Sequence, residues 1–141
     1  MEYKNIVKGK FISRPNRFIA EVEINGETVR CHVKNTGRCR ELLIPGTDVY
    51  MEDFAGRMRS RKLRYSLIAV MKGSRLINMD SQAPNKVIAE ALKSGAIRLP
   101  EMNSLRVIKA EKTYGSSRLD FYVEDICGRQ GFIEVKGVTL E

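Results

Sequence analysis

The sequence predicts a mixed α+β fold in which a small closed β-barrel precedes one helix and three further strands. Short runs of alternating apolar and polar residues, separated by glycine or proline, extend to about residue 80 and are typical of strands. The periodicity becomes helical at Pro84, and strand-like runs return after Pro100. With 141 residues, of which 43% are hydrophobic, the chain can form a packed core but is too short for a large multidomain enzyme.

The strands of the first half begin with a predicted hairpin. Apolar and polar residues alternate over 18–24, and Asn25-Gly26 suits a type I′ turn that leads into a return strand over 28–33. Further strands are predicted at 48–53, 62–72 and 75–79. Five short strands in this part of the chain predict a small closed barrel.

The second half begins with a helix of about eleven residues. Pro84 suits its first turn, and Gly95 suits the left-handed position after its last turn. Its apolar residues lie on one face: Val87, Ile88, Ala91 and Leu92. Strands are predicted at 105–113, 119–123 and 132–138. The change of periodicity and of charge places a domain boundary near residue 83, which gives domains 1–83 and 84–141.

The charge of the chain favours a polyanionic partner. The formal net charge is +8 and the isoelectric point is about 9.6, and the basic excess lies almost entirely before residue 84. The longest apolar run, LIAVM at 67–71, is far shorter than a membrane span, so we expect a cytoplasmic protein with no membrane partner. Cys31, Cys39 and Cys127 form no CxxC motif and are expected to be reduced thiols.

An acidic pattern near the end of the chain predicts a metal site. A hairpin centred on Cys127 would place Asp120 opposite Glu134, and alternation along a strand places Lys136 on the same face. Two carboxylates a few ångströms apart can hold Mg²⁺, and a neighbouring ammonium can neutralise charge on a phosphate. The alternative interpretation is a surface salt bridge on an exposed sheet.

A basic pattern in the first half predicts contacts with phosphates. The segment between two predicted strands is crowded with Arg57, Arg59, Arg61, Lys62 and Arg64. Arg38 and Arg40 lie in the loop after Asn35-Thr36-Gly37, and Arg118 precedes Asp120. Few aromatic side chains lie nearby, which favours backbone contact over base reading. The alternative is a solvated charge run.

Several spaced motifs carry a resemblance to a known family. The strings NTGRCRELLIPG at 35–46, TYGSSRLDFYV at 113–123 and FIEVKGVTLE at 132–141 resemble the sugar fermentation stimulation protein A (SfsA) family. The resemblance implies that residues 1–83 form a five-stranded OB-like barrel that binds nucleic acid. It also implies that 84–141 form part of a restriction-endonuclease-like domain of the PD-(D/E)xK nuclease kind, in a DNA-binding protein.

Carried onto this sequence, the nuclease-like motif assigns catalytic roles to Asp120, Glu134 and Lys136. Asp120, Glu134, the Val135 carbonyl and Glu90 are the implied ligands of Mg²⁺ or Mn²⁺. An ordinary helix-surface pair with Lys86 is the alternative for Glu90.

One departure from the family pattern concerns the end of the chain. Nuclease-like domains of this kind continue after the E-x-K strand with a helix and a further strand, so we expect the domain to be incomplete at Glu141. Either the sequence is part of a longer protein, or a partner, such as a second copy in a homodimer, supplies the missing layer.

Three functions stay open for this prokaryotic SfsA-like sequence. The first is a Mg²⁺-dependent DNA phosphodiesterase. The second is a non-catalytic DNA-binding regulator of sugar-utilisation genes with a vestigial acidic site. The third is an RNA-binding OB protein.

Overall fold

The computed structural model describes residues 1–138, which fold into two compact units. The barrel unit consists mainly of Glu2–Ser81, and the helix–sheet unit consists mainly of Gln82–Gly137. The mixed α+β class predicted from the sequence is confirmed.

The barrel unit is a ring of five strands with one strand added. The strands are β1 (Ile6–Asn16), β2 (Ile19–Ile24), β3 (Glu27–Val33), β4 (Asp48–Asp53), β5 (Tyr65–Lys72) and β6 (Arg75–Asn78). β1 pairs with β2 and β4, β2 pairs with β3, and β4 pairs with β5, all antiparallel. A parallel pairing of β3 with β5 closes the ring, and β6 extends from β5. The predicted five-stranded OB-like barrel is therefore confirmed.

The first predicted hairpin has the expected turn. Asn25 has a φ of 52° and Gly26 a φ of 83°, which are the positive angles of a type I′ turn. Ile24 pairs with Glu27 across this turn. The right-handed twist of the two strands is thereby continued through the turn.

The sequence prediction was wrong about which five strands form the ring. It used 75–79 as the fifth strand, whereas β1 takes that place and β6 lies outside the ring. The apolar alternation of β1 is hidden because Gly9 occupies an inward position. A Cβ atom there would lie 2.6 Å from the Glu23 carbonyl oxygen and 2.6 Å from a methyl group of Val22. Close approach of β2 therefore requires glycine where the pattern would otherwise show an apolar side chain.

The barrel interior is the larger of two hydrophobic cores. Its buried side chains come from all five strands of the ring and the adjoining loops, and the completely buried ones include Val22, Val33, Val49, Met51 and Leu67. Each such side chain contributes about 1.5–3 kcal/mol through removal from water. This core holds in place the loops that carry the basic residues.

The helix–sheet unit packs one helix, α1 (Ala83–Ser94), on a three-stranded antiparallel sheet. The strands are β7 (Leu105–Tyr114), β8 (Ser117–Asp125) and β9 (Gln130–Ile133), in that order. Gly95 ends the helix at a φ of 71°, as predicted. The second core joins Leu92 of the helix to Phe121 and Val123 of β8. Tyr122 and Glu124, which alternate with these residues along β8, therefore lie on the other face of the sheet.

The register of the second hairpin is the predicted one, but its last strand is shorter. Phe121 pairs with Ile133, and Glu124 pairs with Gln130, so the hairpin is centred on Cys127. β9 ends at Ile133, whereas the sequence predicted a strand over 132–138. The ladder stops because the Val135 N–H donates to the side chain of Asp120 instead of a backbone carbonyl. The last three residues of the FIEVKGVTLE string lie outside the described residues.

Candidate metal and nucleic-acid sites

Asp120 lies on β8, next to the last residue that pairs with β9. Its Oδ1 accepts a hydrogen bond from the Asn85 side-chain amide at 2.7 Å. Its Oδ2 accepts one from the Val135 backbone N–H, also at 2.7 Å. Both oxygens of the carboxylate are thus fixed in direction by groups from the helix and from the segment after β9.

The surroundings of Asp120 stabilise its charged form. The Val135 N–H is the main cause that holds the pKa of Asp120 below its ordinary value, while partial burial opposes the shift. The Asn85 amide, the Lys136 ammonium and a hydrogen bond with Glu134 lower the pKa further. Asp120 is therefore an anion at neutral pH with the Glu134 carboxyl next to it.

Glu134 and Lys136 complete the acidic site on its solvent side. The Lys136 ammonium donates to Glu134 Oε1 at 2.5 Å, and this bond raises the pKa of Lys136 above its ordinary value. The side chains are 46% and 76% exposed, so water or a ligand can replace either partner of the pair. The predicted trio of Asp120, Glu134 and Lys136 is thus gathered at one place.

The fourth predicted ligand, Glu90, has a different recorded partner. Its carboxylate forms an ion pair with the amino group of Met1, and no described contact joins it to Asp120 or Glu134. Its role as a ligand stays a prediction. Among residues 1–138, no group of three or more His, Cys, Asp or Glu side chains is arranged to hold a metal ion.

The donor set fits a hard cation held by two carboxylates and otherwise by water. Mg²⁺ is commonly bound through one or two carboxylates while it keeps several waters. Asp120 is anionic, and Glu134 is accessible. Sequence reasoning missed Asn85, which orients Asp120, because a polar residue in the first turn of a helix carries no distinguishing pattern.

Three of the predicted phosphate-binding arginines are anchored within the barrel unit. Arg64 makes two hydrogen bonds to the Asp53 carboxylate, at 2.7 and 2.6 Å, and holds the pKa of Asp53 down at about 2. Arg57 pairs with Glu52 at 3.2 Å. Arg61 donates to Ser66 Oγ at 2.6 Å.

Phe54 is stacked beneath two of these arginines. The centre of its ring lies 3.7 Å from the guanidinium carbon of Arg61 and 4.7 Å from that of Arg57. These contacts fix the basic segment on the barrel.

Other predicted cations are available to a ligand. The side chains of four exposed residues make no hydrogen bond or ion pair with the described part of the chain: Arg38, Arg40, Arg59 and Lys62. Arg118, in the other unit, pairs with Glu111 at 2.5 Å. Of the cations predicted to contact phosphates, those without such a contact therefore all lie in the barrel unit.

Two of these cations line a hollow that we call the arginine concavity. It has a volume of about 510 Å³ and no carboxylate in its lining. Its polar lining comprises Ser13, Arg14, Asn16, Arg17, Thr36, Arg38 and Arg40. Such a surface attracts anions because its positive charges are not neutralised nearby.

Arg14 organises one wall of the arginine concavity. Its guanidinium donates to the backbone carbonyls of Asn35, Gly37 and Arg38 and to that of Arg17, at 2.6–2.8 Å. The loop after β3 is thereby tied to the turn after β1. Sequence reasoning missed Arg14 and Arg17 because they lie around the end of β1, the strand that it did not predict.

Comparison with known sequences identifies both units. The model of the SfsA N-terminal OB domain matches residues 12–79, and that of the sugar fermentation stimulation protein RE domain matches residues 82–141. The chain belongs to the SfsA family. The resemblance drawn from its motifs is confirmed.

Curated relatives in this family are named sugar fermentation stimulation protein homologs. One from Desulfitobacterium hafniense (strain Y51) is 56% identical over all of this chain and 58% of its own length. One from Clostridium beijerinckii is 54% identical over all of this chain and 59% of its own length. The chain therefore spans a little over half the length of these relatives.

A solved structure has the same fold. Pyrococcus furiosus SfsA in complex with Ca²⁺ is 32% identical, with a TM-score of 0.77 over 95% of this chain and 55% of that protein. Within residues 1–138, no helix combines the length and the hydropathy needed to cross a membrane.

Proposed function

We propose that this SfsA-family chain binds DNA through its barrel unit and holds a divalent cation for phosphodiester cleavage in its helix–sheet unit. The observation that carries the cation site is the pair of adjacent carboxyl groups, Asp120 and Glu134, with the Lys136 ammonium bonded to Glu134. The Ca²⁺ bound to a family member of the same fold supports a site for a hard cation.

Asp120 and Glu134 would hold the cation, and the Val135 carbonyl is the third donor predicted from the motif. A bound Mg²⁺ or Mn²⁺ supplies an acidic water and positive charge against the phosphate. Hydrogen bonds from Asn85 and from the Val135 N–H keep the Asp120 carboxylate ionised and fix its orientation. Lys136 can exchange its contact with Glu134 for one with a phosphate oxygen, where its charge stabilises a transition state.

The DNA-binding part of the proposal is supported by the arginine concavity and by the exposed cations Arg59 and Lys62 of the same unit. Guanidinium groups bind phosphates in pairs of hydrogen bonds, and none of the residues that line this concavity is acidic. Contacts of this kind fix the strand and read little sequence. Log K for DNA should therefore fall with log salt by about 0.9 for each duplex phosphate contacted.

The cation site is tested by calorimetric titration of Mg²⁺, Mn²⁺ and Ca²⁺ into the parent, Asp120→Asn and Glu134→Gln. Each substitution should weaken binding at least tenfold, because it removes one of two anionic donors. Glu111→Gln is the matched control, since it removes an exposed carboxylate of the same sheet that pairs with Arg118. Equal affinity in all four proteins would remove the cation site from the proposal.

Cleavage is tested with labelled duplex, single-stranded and branched DNA in the presence of each cation. Asp120→Asn and Lys136→Ala should each lower cleavage by several orders of magnitude while the barrel unit still binds DNA. No metal-dependent cleavage of any DNA by the parent contradicts the enzymatic part.

One observation favours a second function, that of a non-catalytic DNA-binding regulator. The acidic site is already partnered by its own chain, because Asn85 and Val135 bind Asp120, and Lys136 binds Glu134. A structural ion cluster would have this pattern. DNA binding that persists without cation affinity or cleavage would establish this alternative, and preferential competition by RNA would favour an RNA-binding protein.

A further inference from the structure

We propose that the barrel unit binds single-stranded DNA, with Phe18 as a base-stacking platform between a phosphate site and a base site. This inference rests on the proposed DNA-binding function and specifies the form of its substrate. It follows from three consecutive residues, Arg17, Phe18 and Ile19, at the connection between β1 and β2.

Phe18 is a large aromatic side chain held in solvent on a fixed backbone. It is 46% exposed, although a buried position would stabilise the barrel more. Its N–H donates to Asn16 Oδ1 at 2.9 Å, and its carbonyl accepts the Val33 N–H at 2.8 Å. The Arg17 guanidinium lies 5.0 Å from the centre of its ring. An exposed ring on a fixed backbone, beside a cation, is an arrangement that can stack a nucleobase next to its phosphate.

The residue before Phe18 belongs to the arginine concavity. Arg17 lines this hollow together with Arg38 and Arg40, and no acidic side chain lines it. We assign the phosphates of the bound strand to this side of Phe18.

The residue after Phe18 belongs to a second hollow of different chemistry, which we call the His32 concavity. It has a volume of about 430 Å³ and is lined by Ile19, Arg30, His32, Arg61, Lys62 and Leu63. Ile19 and Leu63 supply an apolar surface. His32 adds a ring whose pKa is held below its ordinary value, chiefly by burial and then by the charge of Arg61. Apolar and uncharged aromatic groups suit the face of a base, and the cations at the border suit the adjoining phosphate.

This order of sites fits unpaired DNA. In a duplex, the faces of the bases are stacked on their neighbours and cannot reach Phe18, whereas an unpaired base can. Arg17, which lines the phosphate site, and Ile19, which lines the base site, are separated along the chain by Phe18 alone, so their Cα atoms lie at most about 7 Å apart.

The test compares three fluorescent probes of about 15 nucleotides, the order of size that one OB fold covers. They are an oligothymidine, a duplex of equal length, and an abasic strand that keeps the phosphates and lacks the bases. By anisotropy, the parent should bind oligothymidine more tightly than the duplex or the abasic strand. Phe18→Ala should weaken binding of oligothymidine on the order of tenfold and leave the abasic strand unchanged. Phe18→Trp, which keeps an aromatic ring, should bind oligothymidine about as tightly as the parent.

Two control variants separate stacking from charge and from general surface change. Leu76→Ala removes an exposed apolar side chain on β6 and should change no affinity. The double variant Arg38→Ser with Arg40→Ser should weaken all three probes. Thermal unfolding of each variant checks that the barrel is retained.

The outcomes distinguish this inference from the proposed function. If the double variant weakens every probe while Phe18→Ala weakens none, or if the duplex is bound more tightly than oligothymidine, DNA binding stands and the single-strand inference is overturned. If the parent binds none of the probes, both fail.

Discussion

The carboxylate of Asp120 accepts a hydrogen bond from the backbone N–H of Val135 at 2.7 Å, one residue beyond Glu134. This contact fixes the path of the chain after β9 and at the same time sets the charge of the predicted ligand. Replacement of Asp120 by alanine would therefore alter the backbone as well as the ligand set. Asparagine keeps an oxygen acceptor for the Val135 N–H, but it removes the charge and places an amide nitrogen where Asp120 Oδ1 accepts from Asn85.

The pH dependence of this contact has a definite sign. The pKa of Asp120 is lower in the folded chain than its ordinary value. The charged carboxylate therefore stabilises the folded state fully above about pH 4, and this contribution to stability is lost as the pH falls through the folded-state pKa. A ¹³C NMR titration should find that the pKa of the Asp120 carboxyl is among the lowest of the aspartates. Asn85→Ala should raise it, and an unchanged value in this variant would contradict the role given to Asn85.

Arg14 should be irreplaceable by lysine. Its planar guanidinium reaches four backbone carbonyls, and a single ammonium cannot reproduce these contacts. We expect Arg14→Lys to lower the free energy of unfolding by about 1–2 kcal/mol and to speed amide hydrogen exchange in residues 35–38. Arg40→Lys, which changes a cation without described partners, should do neither. Equal exchange in both variants would argue against the bracing role of Arg14.

The tight contact of β1 with β2 predicts an effect of one added methyl group. Gly9→Ala places a Cβ within 2.6 Å of the Glu23 carbonyl oxygen, so the strands must separate. The free energy of unfolding should fall by about 1–3 kcal/mol in chemical denaturation. In Gly73→Ala the added Cβ has no neighbouring atom within 4 Å, so the only cost is the backbone strain of a φ of 60°. In this control the free energy of unfolding should fall by about 1 kcal/mol.

The three cysteines should differ in reactivity. Burial raises the pKa of Cys31 to about 12, and Cys39 is buried as well, whereas Cys127 is exposed. At mildly alkaline pH, a thiol reagent should label only Cys127 in the folded protein and all three after unfolding. Cys127→Ser should abolish labelling of the folded protein, and rapid labelling of Cys31 would show that the barrel opens readily.

The parts of the fold that could be predicted are those with a local pattern. Alternation over 18–24 and the Asn25-Gly26 turn specify the first hairpin. Symmetry about Cys127 specifies the register of the second hairpin, which places Asp120 opposite Glu134. β1 escaped prediction because Gly9 interrupts its apolar pattern to admit a neighbouring backbone.

The parts of the site that escaped prediction depend on contacts between distant segments. Asn85 is 35 residues from the carboxylate that it binds, and Arg14 is more than 20 residues from the loop that it braces. Nothing in the local sequence distinguishes an amide or guanidinium with such a partner from one in solvent. The arginines at 57, 61 and 64 could be recognised as a basic cluster, but their anchoring on the barrel could not.

The parallel pairing of Cys31–Val33 with Tyr65–Leu67 is the seam that closes the barrel. The whole segment with Arg38, Arg40, Arg59 and Lys62 lies between its two halves, so the chain must close this long loop before the seam can form. Contacts between residues so far apart in sequence make folding slow, and we expect the seam to form late. A chain emerging from the ribosome would thus hold its cations on an unclosed segment until the residues up to 67 had been released, and only then would the barrel fix their positions relative to one another.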